Sequence, residues 1–289
     1  MNLLNRPSKL RTLLILGRVS NLPTVWSDCL AGWWLAGGKN WPALLCVSIA
    51  ATFLYEAGMF LNDAFDADFD RQHRRNRPIP SGAIGQAEVW RWGSVWLVLG
   101  LGALGWMGTT TVVLGLALSA CIVLYDAIHK IVPLSPLLMG ACRLLVYLLA
   151  ASAAPLGVSG EVVWKGLALG AYVVGLSCLA RKESSGGGVN YWPIWLMAAP
   201  LLMAALVDDG PAWPAGGLFS AVLAAWVLWA LSRSHGQIGS NVGYTVSQLL
   251  AGIVLVDLLA VASLSDGWLG LFGVWFPAAL LLQRFVPAT

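Results

Sequence analysis

The sequence predicts an all-α integral membrane protein, a bundle of about nine transmembrane helices. Of its 289 residues, 58% are hydrophobic and 11% are charged, whereas a soluble domain carries about 25% charged residues. Sixteen tryptophans and a mean hydropathy of +0.74 indicate the same class. Because a spanning helix needs roughly 20 apolar residues, residues 1–289 fit a single transmembrane domain.

Nine apolar segments follow one another, separated by short turns rich in glycine and proline. They cover residues 13–36, 41–61, 87–106, 109–126, 136–154, 162–180, 191–207, 212–231 and 245–264. A tenth piece, 268–282, is shorter and fits a further span, an interfacial helix or a return hairpin. The basic N-terminus lacks a small-residue cleavage site, so we expect the first span to be retained.

Lysine and arginine are concentrated at one end of the predicted bundle. The N-terminus and the loops after the second, fourth, sixth and eighth segments, with their flanks, hold 14 of the 17. These are Arg6, Lys9, Arg11, Arg18, Arg71, Arg74, Arg75, Arg77, Arg91, Lys130, Arg143, Arg181, Lys182 and Arg233. Lys39, Lys165 and Arg284 fall at the other end. The basic end should face the cytoplasm, with a bacterial inner membrane as the expected location, the lipid bilayer as a partner and no nucleic acid bound.

The charge is densest in residues 60–82, FLNDAFDADFDRQHRRNRPIPSG. Asn62, Asp63, Asp66 and Asp70 are spaced by three and four residues, which places them on one face of a helix and leaves Asp68 off it. Such carboxylates repel one another unless a cation lies between them. Mg²⁺ is typically held by one or two carboxylates and substrate phosphates. The pattern therefore indicates Mg²⁺ and a diphosphate, and the alternative is a charged loop whose acids pair with its own arginines.

The NDxxDxxxD pattern and the RPIPSG turn together resemble the signature of the UbiA superfamily of intramembrane prenyltransferases. The resemblance covers nearly the whole chain. It implies a nine-helix bundle that uses Mg²⁺ to move an isoprenoid group from a prenyl diphosphate to an acceptor, here unidentified. It also implies that Asn62, Asp63, Asp66 and Asp70 hold metal and diphosphate, with Asp63, Asp66 and Asp70 on the metal, and that Arg77 lies in the loop that closes over the site.

A second landmark of the family, a tyrosine shortly before a lysine, matches LYDAIHK after the fourth segment. The match assigns Tyr125, Asp126, His129 and Lys130 to the active site. Lys130 would meet diphosphate oxygens, and Asp126 would orient Lys130 or act as a base. The alternative for Lys130 is a lysine that snorkels to the membrane interface.

Several polar residues lie inside the predicted spans, where they are costly and usually functional. Arg143 in the fifth segment is expected to belong to the active site or to support it. Arg18 and Asn21 lie near the cytoplasmic end of the first segment and are expected in the substrate site. Asp28, deeper in that segment, fits a proton acceptor or a helix-pairing residue, and Asp257 fits a hydrogen bond between helices or the wall of a cavity.

The chain departs from the family after the sixth segment, where a second aspartate-rich motif is expected. It reads LARKES, with Arg181, Lys182 and Glu183 in place of acids. Either Arg181 and Lys182 contact the diphosphate directly, or the substrate is not an ordinary prenyl diphosphate.

Four segments of the chain narrow the resemblance within the superfamily. RVSNLPTVWSDCLAG, YDAIHK, SPLLMGACRLLVYL and LARKES together resemble its EboC branch. The alternatives to an enzyme are a membrane binder or transporter of an amphiphilic metabolite and an inactive scaffold.

Overall fold

The computed structural model describes residues 8–185, 192–207, 213–233, 242–264 and 269–288, and every regular element in these ranges is a helix. The α-helices are α1 (Lys9–Leu16), α2 (Leu22–Leu35), α3 (Trp41–Phe65), α4 (Ala67–His73), α5 (Gln86–Leu104), α6 (Thr109–Ile128), α7 (Ser135–Ser152), α8 (Gly160–Ser185), α9 (Ala199–Val207), α10 (Trp213–Ser232), α11 (Val242–Ala251), α12 (Ile253–Ala260) and α13 (Leu269–Leu282). Short 3₁₀ segments, Val19–Asn21 and Trp192–Ala198, lead into α2 and α9.

Within the described residues, six segments are long and apolar enough to cross a membrane. They are Trp41–Phe65, Thr109–Ile128, Ser135–Ser152, Gly160–Arg181, Ala215–Ser232 and Gly243–Ala260. Trp195–Leu206 and Leu269–Leu282 are shorter apolar helices. The predicted all-α membrane bundle is confirmed.

The first predicted span is not continuous, and its break shapes the site. Helix α1 begins at a cap in which the Ser8 hydroxyl accepts a hydrogen bond from the Arg11 amide at 3.3 Å. It ends where Arg18 adopts a left-handed conformation with φ of 44°, and α2 starts again with Pro23 in its first turn. A left-handed residue cannot continue a right-handed helix. The expectation of an unbroken helix over 13–36 is therefore wrong at this point.

Helix α7 packs against α2, α6 and α8. A Cβ atom added to Gly32 would lie 2.5 Å from the Tyr147 carbonyl oxygen, and one added to Gly140 would lie 2.6 Å from the Gly170 carbonyl oxygen. These glycines therefore let the backbones of α2 and α8 approach α7 directly, as small residues do in membrane bundles.

A buried polar network joins α2, α7 and α12 away from the lipid. Asp28 and Asp257 are fully buried. Arg143 forms an ion pair with Asp28. Asp257 accepts hydrogen bonds from the Tyr147 hydroxyl at 2.5 Å and from the Ser27 hydroxyl. Asp28 thus pairs with another helix, as one of its two predicted roles required, and Asp257 likewise forms hydrogen bonds between helices.

The last described segment returns to the end of the bundle that holds Asn21. Helix α13 packs along α2 and Val19–Asn21, and the Asn21 side chain donates a hydrogen bond to the Ala288 carbonyl at 3.0 Å. Arg284 therefore lies near the end that holds Asn21 and not at the opposite end, where the pattern of spans placed it.

Candidate active site

Asn62, Asp63, Asp66 and Asp70, which we call the aspartate stripe, lie at the junction of α3 and α4. Although Asp66 separates the two helices, its amide donates to the Asn62 carbonyl and the Asp70 amide donates to the Asp66 carbonyl, both at 2.9 Å. The helical register is thus kept through the junction. Asn62, Asp63, Asp66 and Asp70 are 7%, 5%, 8% and 3% exposed, whereas the Asp68 side chain is 85% exposed and pairs with Arg71. The predicted shared face is confirmed.

Two arginines from different segments converge on Asp63. Its Oδ1 lies 3.4 Å from Arg18 Nη2 and 3.6 Å from Arg77 Nη1. The same Arg18 nitrogen lies 3.4 Å from Asn62 Oδ1. The left-handed backbone at Arg18 occurs in the break between α1 and α2, next to these contacts, and strained conformations of this kind cluster at functional sites.

The turn after Arg77 is held by a small apolar core of its own. Ile79 and Ile84 are buried together with Leu16, Phe60 and neighbouring side chains of α3 and α5. The Ser81 amide donates to the Arg77 carbonyl at 3.0 Å. The RPIPSG turn therefore fixes the backbone that presents Arg77 to Asp63.

The end of α6 supplies two further basic groups, both to Asp66. Asp66 Oδ1 lies 2.9 Å from Lys130 Nζ and 3.5 Å from His129 Nε2. Lys130 Nζ also lies 3.6 Å from the centroid of the Phe69 ring, a cation–π contact. The His129 ring stacks on Tyr125, with centroids 5.0 Å apart. Sequence reasoning had not singled out Phe69.

Asp126 joins the site through Asn62. Its Oδ1 accepts a hydrogen bond from Asn62 Nδ2 at 3.0 Å, while its Oδ2 is buried without a hydrogen-bond partner among the described residues. The carboxylate that pairs with Lys130 is Asp66, not Asp126. The expectation that Asp126 orients Lys130 is therefore wrong, because the last turn of α6 faces α3 and offers Lys130 a partner on the other helix.

The protonation of the groups outside the spans follows from burial and from this pairing. Burial favours the neutral form of Asp66, but the hydrogen bonds and charges of His129 and Lys130 outweigh it and hold the pKa of Asp66 below its usual value. Burial raises the pKa of Asp70, against the opposing charges of Arg77 and Lys130. Burial also lowers the pKa of Arg77, with help from the charge of Arg18.

The oxygen donors fit a Mg²⁺ ion that shares its ligands with a diphosphate. Asp70 Oδ1 and Asp126 Oδ2 are buried carboxylate oxygens without a hydrogen-bond partner in the described part of the chain, and a bound cation is one partner that would satisfy such oxygens. Across the described ranges, however, no three His, Cys, Asp or Glu side chains stand close enough to hold a metal by themselves. Mg²⁺ usually keeps water and takes one or two carboxylates plus substrate phosphates, which these residues can supply.

Two predicted site residues, Arg143 and Arg181, make the contacts described here outside the stripe. Arg143 pairs with Asp28 in the buried network and not with the stripe. Arg181 Nη1 donates to the Val132 carbonyl at 2.7 Å and to Ser135 Oγ at 3.0 Å. The Lys182 side chain lies outside the described residues. Ser135 was not predicted, although its place five residues after Lys130 was a usable signal.

Asn21 lies next to the site, and half of its side-chain amide is engaged. Its Nδ2 binds the Ala288 carbonyl, and its Oδ1 is buried without a hydrogen-bond partner among the described residues. An oxygen of this kind is available to a donor group on a ligand.

Solved structures of other proteins share the fold. A UbiA homologue from Archaeoglobus fulgidus bound to GPP and Mg²⁺ matches with a TM-score of 0.62 at 15% identity, over 89% of this chain and 100% of the other. A structure of digeranylgeranylglyceryl phosphate synthase matches with a TM-score of 0.55 at 19% identity, over 98% and 99% of the two chains. At these identities the likeness shows the fold alone.

Sequence comparison shows the family. The 4-hydroxybenzoate octaprenyltransferase of Paracidovorax citrulli is 27% identical over 86% of this chain and 95% of its own length. The digeranylgeranylglyceryl phosphate synthase of Methanocaldococcus jannaschii is 34% identical over 32% of this chain and 34% of its own. The sequence profile of the UbiA prenyltransferase family matches residues 21–239. With this match and the shared fold, the chain belongs to the UbiA prenyltransferase family.

Proposed function

We propose that this protein is a Mg²⁺-dependent prenyltransferase that moves an isoprenoid group from a prenyl diphosphate to an acceptor at the cytoplasmic face. The observation that carries the proposal is the meeting of buried Asp63 and Asp66 with Arg18, Arg77 and Lys130. Acids for a metal and cations for a diphosphate are thereby brought together from separate segments.

The acids would hold the metal at the mouth of the bundle. Of Asp63, Asp66 and Asp70, one or two would bind Mg²⁺ directly, and the diphosphate would supply its further ligands. When bound, Mg²⁺ neutralises the diphosphate and stabilises the negative charge that grows on the leaving group. The concentration of lysine and arginine at this end of the bundle supports a cytoplasmic N-terminus and active site.

The cations of the site would act on the diphosphate. Asp63 and Asp66 form ion pairs with three cations, Lys130, Arg77 and Arg18. With a diphosphate in the site, these cations would bind its oxygens. Tyr125 and His129 would line the same side, and Asn62 would stay bound to Asp126. Fixed cations aimed at developing charge are a main source of catalysis.

The transfer itself breaks the bond between the isoprenoid carbon and the diphosphate oxygen, leaving an allylic cation that the acceptor attacks. The acceptor then loses a proton. Asp126 is placed to take it, because its Oδ2 is buried and lacks a hydrogen-bond partner in the described part of the chain. The apolar helices would hold the isoprenoid tail next to the lipid.

The relatives named above are a 4-hydroxybenzoate octaprenyltransferase and a digeranylgeranylglyceryl phosphate synthase. The narrower likeness to the EboC branch stays a prediction.

The test is the release of diphosphate from a series of prenyl diphosphates by the purified protein, with and without Mg²⁺. Asp66→Ala should abolish release, because it removes both a metal ligand and the partner of Lys130. Asp68→Ala is the matched control, since Asp68 is the exposed aspartate of the same segment and its loss should leave release unchanged. Release that survives in Asp66→Ala would contradict the proposed role.

A non-enzymatic binder or transporter is the second candidate, and the basic residues Arg181 and Lys182 in place of a second acidic motif favour it. Thermal stability separates binding from chemistry, because a ligand at a hundredfold excess over its Kd raises stability by about 2.7 kcal/mol. A binder would show this rise and release no diphosphate, whereas the proposed enzyme shows both.

A further inference from the structure

Arg181, at the position expected to replace the second acidic motif, contacts a loop of the protein. Its Nη1 donates to the carbonyl of Val132 at 2.7 Å and to the hydroxyl of Ser135 at 3.0 Å. Val132 lies in the connection between α6 and α7, which we call the Lys130 loop (residues 129–134), and Ser135 is the first residue of α7 directly after it. A guanidinium that donates to a carbonyl makes a strong, charge-assisted hydrogen bond.

The Lys130 loop is tied at both of its ends. The Val132 amide donates to the Ile128 carbonyl at 2.9 Å, which holds the loop to the end of α6. The Ser135 hydroxyl, itself bound by Arg181, donates to the His129 carbonyl at 3.2 Å. Arg181 thus fixes the Val132 carbonyl directly and the His129 carbonyl through Ser135, on either side of Lys130.

We infer that Arg181 is a positioning residue, which holds the Lys130 loop so that Lys130 and His129 meet the diphosphate. This inference rests on the proposed function and deepens it. In place of a second metal bound after the sixth span, the chain has a cation that braces the loop carrying another cation. The ammonium group of a lysine stands on a flexible four-carbon chain, so how well it binds a diphosphate depends on how firmly the backbone of that lysine is held.

Binding of inorganic diphosphate in the presence of Mg²⁺, measured by titration calorimetry on the full chain in detergent, tests the inference without an acceptor. Arg181→Gln should weaken binding by about tenfold, the lower end of what supporting residues around metal sites contribute. The same substitution is then made in a background that lacks both loop groups, His129→Gln with Lys130→Met. If Arg181 acts through the loop, it has nothing left to position, and Arg181→Gln should cause no further loss.

Ser135→Ala gives an independent measurement in case the arginine variant folds poorly. It removes an acceptor of Arg181 and the donor to the His129 carbonyl, yet it changes no charge. Positioning predicts that Ser135→Ala also weakens diphosphate binding in the native background and is silent in the background without His129 and Lys130. Arg181→Lys, which keeps one donor, should recover part of the affinity.

Each outcome decides between the alternatives. If Arg181→Gln weakens binding equally in both backgrounds and Ser135→Ala has no effect, Arg181 contacts the diphosphate itself and the inference is overturned. If the native protein binds no diphosphate with Mg²⁺, the proposed function fails first. Native binding with coupled losses supports both.

Discussion

Removing one partner of the ion pair between Arg143 and Asp28 should be among the most destabilising single changes in the bundle. Asp28 is fully buried, and Arg143 also donates to the Thr24 hydroxyl at 3.0 Å. Arg143→Met leaves a buried carboxylate without its cation, and breaking a buried pair in this way costs about 3–5 kcal/mol. Asp28→Asn strands the guanidinium instead and should cost a similar amount.

The double variant should cost much less than the sum of the two single changes. With Arg143→Met and Asp28→Asn together, neither member of the pair is left as an unpaired charge, and the remaining loss is a few hydrogen bonds at about 1 kcal/mol each. The coupling free energy should therefore be on the order of 3 kcal/mol. The measurement is unfolding of the detergent-purified protein by SDS, followed by tryptophan fluorescence.

The control for this cycle is Lys39→Met, which removes an exposed cation and should change the free energy of unfolding by about 0.5 kcal/mol or less. Two single variants whose costs simply add in the double variant would refute the argument. Such a result would mean that Arg143 and Asp28 are each satisfied by other groups.

Two further predictions concern the backbone. Gly32→Ala should destabilise the protein by about 1–3 kcal/mol, because the new Cβ would lie 2.5 Å from the Tyr147 carbonyl oxygen. The control is Gly217→Ala, at a helix position where a new Cβ would meet no atom within 4 Å, and it should be neutral or stabilising. Equal effects of the two substitutions in SDS unfolding would contradict the close approach of α2 and α7. Arg18→Gly and Arg18→Ala both remove the guanidinium beside Asp63 and should weaken diphosphate binding alike. The glycine variant should nevertheless be more stable by about 1–2 kcal/mol, because glycine is not strained at a φ of 44°; equal stabilities would show that the left-handed conformation is not kept.

The sequence could predict the features that depend on spacing along one helix. The steps of three and four residues between Asn62, Asp63, Asp66 and Asp70 place them on one face, and their burial beside the exposed Asp68 confirms it. Hydropathy likewise predicted the membrane bundle. Both results follow from local helix geometry, which does not depend on how one helix packs against another.

Features that depend on how helices meet could not be predicted. Lys130 was expected to pair with Asp126 one turn away, but α3 approaches α6 closely enough to offer Asp66. Arg143 was expected near the active site because an arginine in a membrane helix is costly, and that cost is met by Asp28 on α2. The break at Arg18 has no signal in the hydropathy pattern, since it arises from one residue in a left-handed conformation.

The buried network has a consequence for how the chain enters the membrane. Asp28 is synthesised 115 residues before Arg143, so α2 emerges with a carboxylate whose cation does not yet exist. A lone charge is costly inside a bilayer, and α7 removes this cost from α2 when it brings Arg143 to Asp28. We therefore expect α2 to be held in the bilayer less firmly in a chain truncated before α7 than in the full chain.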